Sequence, residues 1–405
     1  MINFQDYTIA DNDRCLDYLR RCIQIPSNAS PITLLGNKDI NNIRRGYADG
    51  LCWHKFTVNG NEFWSVPLGD WDEINWREVF KAHVPAGTIF SFVPEYLVKL
   101  WQKIFGADIQ VDGNRDDWDY ILYLDRMEKL SGKSLKGFRQ HRNTFEKKYN
   151  YTVEDITPEI LDELRTFHGA AEENLQSRIK VLDIAQDDDE KFHFLLDHWS
   201  DAKNLFGFVV RVDGQIVAYA IDELIDETHS IGLFAKADYN FDGVNQFVYW
   251  YDAKISLERG ILTQNLMDDV GEENLRYFKE HLSPLVMLKK YTVTYAPADT
   301  ADARDVKISA ERDGNALTVK ISGRLDTNSA LSAKDEILAA IDGAQKVVFD
   351  LGELKYISSA GLRILIAAMK EIKSHGGTMT LKNVAAQVRE VLDMTGFAQI
   401  FDVEA

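Results

Sequence analysis

At 405 residues the chain is long enough for roughly two to four domains, and a composition of 45% hydrophobic and 27% charged residues, with 8 Pro and 25 Gly, excludes collagen-like, mucin-like and wholly disordered classes. The formal net charge of −18 excludes a general attraction to nucleic acid or anionic lipid, since both are polyanions, and leaves such contacts to local basic patches. Three cysteines, an acidic N-terminus without the basic flank and apolar run of a secretion signal, and no apolar stretch near ~18 residues lead us to expect a cytoplasmic chain without integral membrane association.

In chain order, helix-like sequence from Asp11 to Ile23 precedes WHKFTVNGNEFWSVP, a hairpin turning on Asn59-Gly60. Helical segments follow at Trp76–Ala82 and Pro94–Phe105. The sequence then concentrates positive charge: Arg126, Lys129, Lys133, Lys136, Arg139, Arg142, Lys147 and Lys148, interleaved with Phe138, Phe145 and Tyr149. Such a run fits either a local contact to an RNA phosphate backbone or a solvated helix face. A second unit repeats the first pattern: a helix from Pro158 to Leu175, a hairpin FGFVVRVDGQIVAYAIDEL turning on Asp213-Gly214, and a helix from Val244 to Glu258. The alternative to a duplication is two unrelated α+β stretches. No metal site is expected, because none of the nine histidines has a spacing such as HExxH, and Asp187 to Glu190 reads as a charge cluster.

Next comes TQNLMDDVGEENLRYFKEHLSP. Arg276 and Lys279, three apart, share one face of a helix and could hold a phosphate or carboxylate. Asp268 and Asp269 precede that helix, where a carboxylate could accept a proton from an attacking amine or hydroxyl. The alternative has Asp269 capping the helix and the two cations on a solvated face. Tyr295 to Asp305 then reads as a linker. Beyond it, Leu317, Val319 and Ile321 alternate as in a half-buried strand, Val347 to Phe349 run together as in a buried one, and Ser359 to Gly376-Gly377 is an amphipathic helix with a glycine stop. A strand at Thr378–Leu381 and a helix at Ala386–Asp393 complete a β/α pattern. Residues 301–405 hold 13 Lys and Arg against 15 Asp and Glu, so −16 of the charge belongs to residues 1–300, as do all eight Trp.

Three segments after the linker, SGRLDTNSALSAKDEI, VVFDLGELKYISSAGLRILIAAMKEIKSHGGTMTLKNV and VREVLDMTGFAQIFDV, resemble the STAS domain of bacterial anti-sigma factor antagonists. The resemblance implies a mixed-sheet, four-helix domain that binds a cognate anti-sigma kinase and is released when a serine at the helix start is phosphorylated. The family pattern is Asp, two hydroxyl residues, then Gly-Leu; here Ser358 takes the Asp position, Ser359 the first hydroxyl and Ala360 the second. Ser359 is thus the matched acceptor, Ser358 a candidate N-cap, and Asp326 matches a partner-facing position or caps a turn.

Before the linker, LFAKADYNFDGVNQFVYWYDA, the Asn265 to Lys279 motif and LDRMEKLSGKSLKGFRQHRNTFEKKYNYTVEDITPE resemble the C-terminal catalytic module of phosphatidylglycerol lysyltransferases. That resemblance implies tandem GNAT-like (acyl-CoA N-acyltransferase-like) folds and makes Asp268, Asp269, Arg276 and Lys279 candidate catalytic residues. Gly243, Asn245, Gln246, Asn265, Lys136, Arg139 and Arg142 become candidates for binding the substrate or donor. With one glycine between Asp238 and Gln246, aminoacyl-tRNA is favoured over acyl-CoA as the donor. Lipid-modifying members carry a membrane-embedded region absent from this sequence, which points to another acceptor. The expected fold is therefore a multidomain α+β and α/β chain with GNAT-like lobes at 1–115 and 116–295, a linker at 296–305 and a STAS β/α domain at 306–405. The expected function is acyl or aminoacyl transfer under STAS control, and the alternative is a non-catalytic anti-sigma factor antagonist with a metabolite-sensing domain.

Overall fold

The computed structural model describes residues 2–58, 60–178, 183–297, 306–313, 316–325, 329–394 and 400–404. The chain divides into two compact units, the first of Met1–His83, Ile89–Leu100 and Gly113–Thr292, the second of Val84–Thr88, Trp101–Asp112 and Val293–Ala405. Among the described residues no helix is long and apolar enough to cross a membrane.

In the first unit, β1 (Gln5–Asp6), β2 (Arg44–Ala48), β3 (Leu51–Val58), β4 (Asn61–Ser65) and β5 (Ile89–Pro94) are successive neighbours in one sheet. The β3–β4 pair closes with Val58 opposite Asn61, and Gly60 takes φ +80° in the turn. Asn59 lies outside the described residues. After β6 (Ile109–Gly113), a second sheet collects β7 (Asp119–Tyr123), β8 (Tyr151–Asp155), β9 (Leu205–Val212), β10 (Gln215–Leu224), β11 (His229–Ala237), β12 (Thr263–Asn265) and β13 (Val286–Leu288) in the order β13-β7-β12-β11-β10-β9-β8. The β9–β10 turn has Asp213 at φ +51° and Gly214 at +82°, the doubly left-handed geometry whose twist matches paired strands.

β10 is buried almost throughout, because its Ile216 to Ile221 run packs on both faces. One face meets Phe145, Phe208, Val244 and Phe247, and the other meets Leu164, Phe192 and Leu195. The helix Lys136–Lys148 joins the first of these cores through Phe145, whose ring centroid is 4.8 Å from that of Phe247. Such a pair contributes about 0.5–1.5 kcal/mol beyond the area it buries. The end of β10 also carries Glu223 into the interior. There Ser30 Oγ, Asn204 Nδ2 and the Ile32 N–H donate to it, while burial pushes its carboxyl up to about 7.

After β14 (Lys290–Tyr295), the second unit holds the sheet β15 (Lys307–Asp313), β16 (Ala316–Leu325), β17 (Lys346–Ile357), β18 (Thr378–Lys382) and β19 (Asp402–Val403) in chain order. β15 pairs antiparallel to β16, and every later pair is parallel. Parallel neighbours need crossovers, which the helices Ala330–Ile341, Ser359–Ser374 and Ala386–Met394 supply. Val319, Ile321, Val347, Phe349, Leu362 and Leu365 form the core between sheet and helices. The predicted alternation at 317–321 and the helix from Ser359 hold. The strand predicted around Val347 to Phe349 extends to Ile357, since its inward residues remain buried along that length.

Candidate functional site

Lys290 is the centre of the site. Its side chain is 0% exposed, and its ammonium donates to Asp119 Oδ1 at 2.6 Å, to Asp268 Oδ2 at 3.0 Å and to Asn28 Oδ1. Burial opposes a charge there, yet Asp119 and Asp268 outweigh it and hold the Lys290 pKa above its usual range. Asp119, also 0% exposed, accepts from the Ser27 N–H at 2.8 Å, Ser27 Oγ at 2.7 Å and Asn265 Nδ2 at 2.9 Å. Phe92 presents its ring 5.3 Å from the ammonium and has a left-handed backbone, φ +59°. Beside this cluster lies Asp117. Burial raises its pKa, Lys290 pulls it back, and Asp268, Asp116 and Asp119 push it up again, to about 6. A carboxyl poised there exchanges a proton near neutrality.

The loop from Leu266 to Gly271 borders the cluster and is strained. Met267 has φ +60°, Val270 +46° and Gly271 +80°, and a β-branched residue with positive φ is a genuine outlier. Strain of ~1–3 kcal/mol per residue persists only where surroundings over-determine the backbone. Here Lys279 Nζ donates to the Leu266 and Asp268 carbonyls at 2.7 and 2.5 Å, Asn265 Oδ1 accepts from Met267 N at 2.8 Å, and Asp269 Oδ1 accepts from Gly271 N at 3.0 Å.

Asp269 itself is 0% exposed and surrounded by donors. Tyr120 OH reaches Oδ2 at 2.6 Å, Arg115 Nη1 the same oxygen at 3.2 Å, and Arg276 Nη2 reaches Oδ1 at 2.7 Å. Burial alone would raise this carboxyl, but Arg276, Tyr120 and the Gly271 N–H bring it down to about 2. Asp269 therefore stays ionised as an anchor. It does not cap the following helix, Glu273–His281, whose N-cap is Glu272.

The predicted residues fall into two groups. Asn265, Asp268, Asp269, Arg276 and Lys279 converge on the strained loop. Arg276 and Lys279 do lie on one helix, but their charges are already engaged: Arg276, partly exposed, spans Asp269 and Asp116, and Lys279 is buried, which lowers its pKa to about 8 against the pull of Asp268, Asp119 and Asp269. The second group surrounds Gly243, where Asn245 and Gln246 sit half-buried in the first turn of helix Val244–Glu258. A Cβ on Gly243, which has φ +81°, would stand 2.0 Å from the His141 carbonyl oxygen. This glycine thus lets helix Lys136–Lys148 pack closely. On that helix, Arg139 donates to the Leu130 carbonyl, and Arg142 pairs with Glu146 at 2.5 Å and lies 4.1 Å over the Trp250 ring. Exposed Lys133, Lys136 and Lys147 remain as the local basic face.

Sequence reading missed Arg115, Asp117, Asp119, Tyr120 and Lys290. The signal was present in RDDWDY, an acidic cluster flanked by Arg and Tyr, but its cation lies 171 residues away from Asp119.

In the second unit, Ser358 is the N-cap of helix Ser359–Ser374; it is 3% exposed, and its Oγ accepts from Gly361 N at 3.3 Å. Ser359 opens the helix. Asp326 lies outside the described residues.

Two family descriptions match the chain: phosphatidylglycerol lysyltransferase, C-terminal, over residues 38–294, and the STAS domain over 307–405. A conserved protein of unknown function from Bacteroides thetaiotaomicron has a similar fold, with TM-score 0.66 and 21% identity over 73% of this chain and 100% of its own. So does the C-terminal domain of a candidate lysylphosphatidylglycerol synthetase from Agrobacterium fabrum, at TM-score 0.51 and 16% identity over 73% and 95%. In the STAS region, the anti-sigma-B factor antagonist of Bacillus subtilis is 24% identical over 101 residues, 25% of this chain and 93% of that protein. A candidate anti-sigma factor antagonist of Bordetella bronchiseptica, BtrV, is 34% identical over 99 residues, 24% and 85%.

Proposed function

The chain belongs to the phosphatidylglycerol lysyltransferase C-terminal family over residues 38–294 and carries a STAS domain over 307–405, and from that premise we propose that its first unit transfers an aminoacyl group while the STAS domain docks an anti-sigma kinase. The donor is an aminoacyl ester such as aminoacyl-tRNA, and the acceptor an amine or hydroxyl. We read the two hairpin-centred halves, 1–115 and 116–295, as GNAT-like lobes.

The observation that carries the transferase reading is the buried Asp119–Lys290–Asp268 cluster beside the strained Leu266–Gly271 loop, where burial raises the neighbouring Asp117 carboxyl to about 6. The acceptor attacks the ester carbonyl, Asp117 takes its proton, and the departing ribose oxygen takes that proton back as the C–O bond breaks. Lys290, fully buried, acts by fixing Asp119 and Asp268. The His141 carbonyl packed against Gly243 favours an ester donor over acyl-CoA.

The test supplies the purified full chain with labelled aminoacyl-tRNA or acyl-CoA and a mixture of small amine and hydroxyl acceptors. Asp117→Asn is expected to slow transfer from charged tRNA by about 10²–10⁴-fold with its melting curve unchanged. The wild-type rate should rise with pH through about 6, because the base works ionised. If neither donor yields product, the family fold serves binding alone in this chain.

For the docking arm, Ser359 is the phosphoacceptor, since the Ser358 hydroxyl is committed to its cap. Ser359→Asp should reduce capture of an anti-sigma kinase by the immobilised chain about tenfold or more. Equal capture by Ser359→Asp and wild type would remove the phosphoswitch from the proposal.

A further inference from the structure

Far from Lys290 in sequence, three donor side chains of the first unit meet in its interior. Cys15 comes from the helix Asn12–Leu19, while Cys52 and His54 stand two apart on β3, which turns both side chains to one face of the strand. All three are 0% exposed. Their donor atoms form a nearly equilateral triangle: Cys15 Sγ to Cys52 Sγ 3.6 Å, Cys52 Sγ to His54 Nε2 3.7 Å, and Cys15 Sγ to His54 Nε2 3.8 Å.

Those edges fit zinc ligation. With Zn–S near 2.3 Å and Zn–N near 2.0–2.1 Å, tetrahedral ligation sets sulfurs about 3.8 Å apart and sulfur about 3.6 Å from nitrogen. A disulfide would need the sulfurs at about 2.05 Å. A second observation bears on the same point. Tyr7 is 2% exposed and places its buried hydroxyl toward Cys15. Its ring lies 5.0 Å from that of His54, and Cys15 and Cys52 are its electrostatic neighbours. The Tyr47 hydroxyl also approaches Cys15 Sγ, at 3.4 Å.

We infer that Cys15, Cys52 and His54 bind a zinc ion that ties the N-terminal helix to the first sheet. Two thiolates and a neutral imidazole around Zn²⁺ make a site of zero net charge, which suits a closed, buried location. On binding, Zn²⁺ displaces to solvent whatever protons the two sulfurs still carry, and no oxidant or reductant is consumed.

The experiment uses the full chain, purified under reducing conditions and stripped with chelator. Added zinc should bind at about one equivalent per chain and release up to about two protons, read with an indicator dye on the wild-type protein alone. Cobalt should give a thiolate-to-metal charge-transfer band and the visible bands of a tetrahedral ion. Cys52→Ser and His54→Ala should lose both signals, whereas Cys22→Ser should keep them, since Cys22 lies outside the triangle and accepts from Gly69 N. Wild-type protein that takes up no zinc and releases no protons overturns the assignment, as does a Cys15–Cys52 disulfide by mass spectrometry or undiminished cobalt binding in Cys52→Ser.

Discussion

Replacing Lys290 with methionine is expected to cost about 3–5 kcal/mol of folding stability at pH 7, the usual penalty for removing one partner of a buried ion pair. The variant should recover much of that deficit as the pH falls toward about 5. In the wild type the ammonium compensates Asp119, which is 0% exposed, and Asp268, which is 13% exposed. Without it these carboxylates face one another and Asp117 in a poorly solvated interior, and the already raised pKa of Asp117 loses the nearby charge that pulls it down. A carboxyl whose pKa is raised by folding binds more protons in the folded state, so acid favours the fold. The deficit is therefore greatest above the raised pKa and shrinks as pH drops through it. Urea melts of wild type and Lys290→Met between pH 5 and 8 check this. Parallel stability curves for the two proteins would show that Lys290 does not neutralise the cluster.

Asp269→Ala is expected to cost about 3–5 kcal/mol, lowering the melting temperature by roughly 10 °C. The substitution strips Arg115, Arg276 and Tyr120 of a shared acceptor and frees Gly271 N, so the strained loop loses a restraint as well as a charge pair. Its pH window differs from that of Lys290→Met. Asp269 is depressed in the fold to about 2, so its contribution is fully present above the unfolded carboxyl value near 4 and is lost as pH falls through about 2. Wild type and Asp269→Ala should accordingly stay apart from pH 8 down to about 4 and converge only below it. Thermal melts across that range separate the two clusters; convergence already at pH 6 would contradict the anchoring role of Asp269.

Much of this fold was legible because its signals are local. The Asp213-Gly214 dipeptide specifies its own turn, Val244–Glu258 forms the predicted helix, and Leu317 to Ile321 alternate because one side of β16 meets the core. The STAS resemblance rested on consecutive residues in order, and Ser358 is the N-cap that its position before a helix suggested. Arg276 and Lys279 were placed on one helix by spacing alone. What spacing could not supply was burial. The loop at Leu266–Gly271 folds back over Lys279 and converts a would-be surface cation into a backbone staple, and Arg276 is drawn off by Asp116, 160 residues away in sequence. Gly243 was named as a binding candidate from its sequence context, but the distance of its Cβ position from His141 O is a property of helix packing.

By itself, then, the sequence determined the Asp213-Gly214 turn, the helices from Val244 and Ser359, the alternation at Leu317 to Ile321, the acidic first three hundred residues and the near-neutral STAS domain, because each depends on neighbours within a few residues or on composition alone. Only the tertiary structure decided which charges are paired and which protons are held. Ionic and metal-binding energies depend on distance and local dielectric between groups that the chain brings together from far apart: Asp119 with Lys290 at 2.6 Å, and Cys15 with His54 at 3.8 Å.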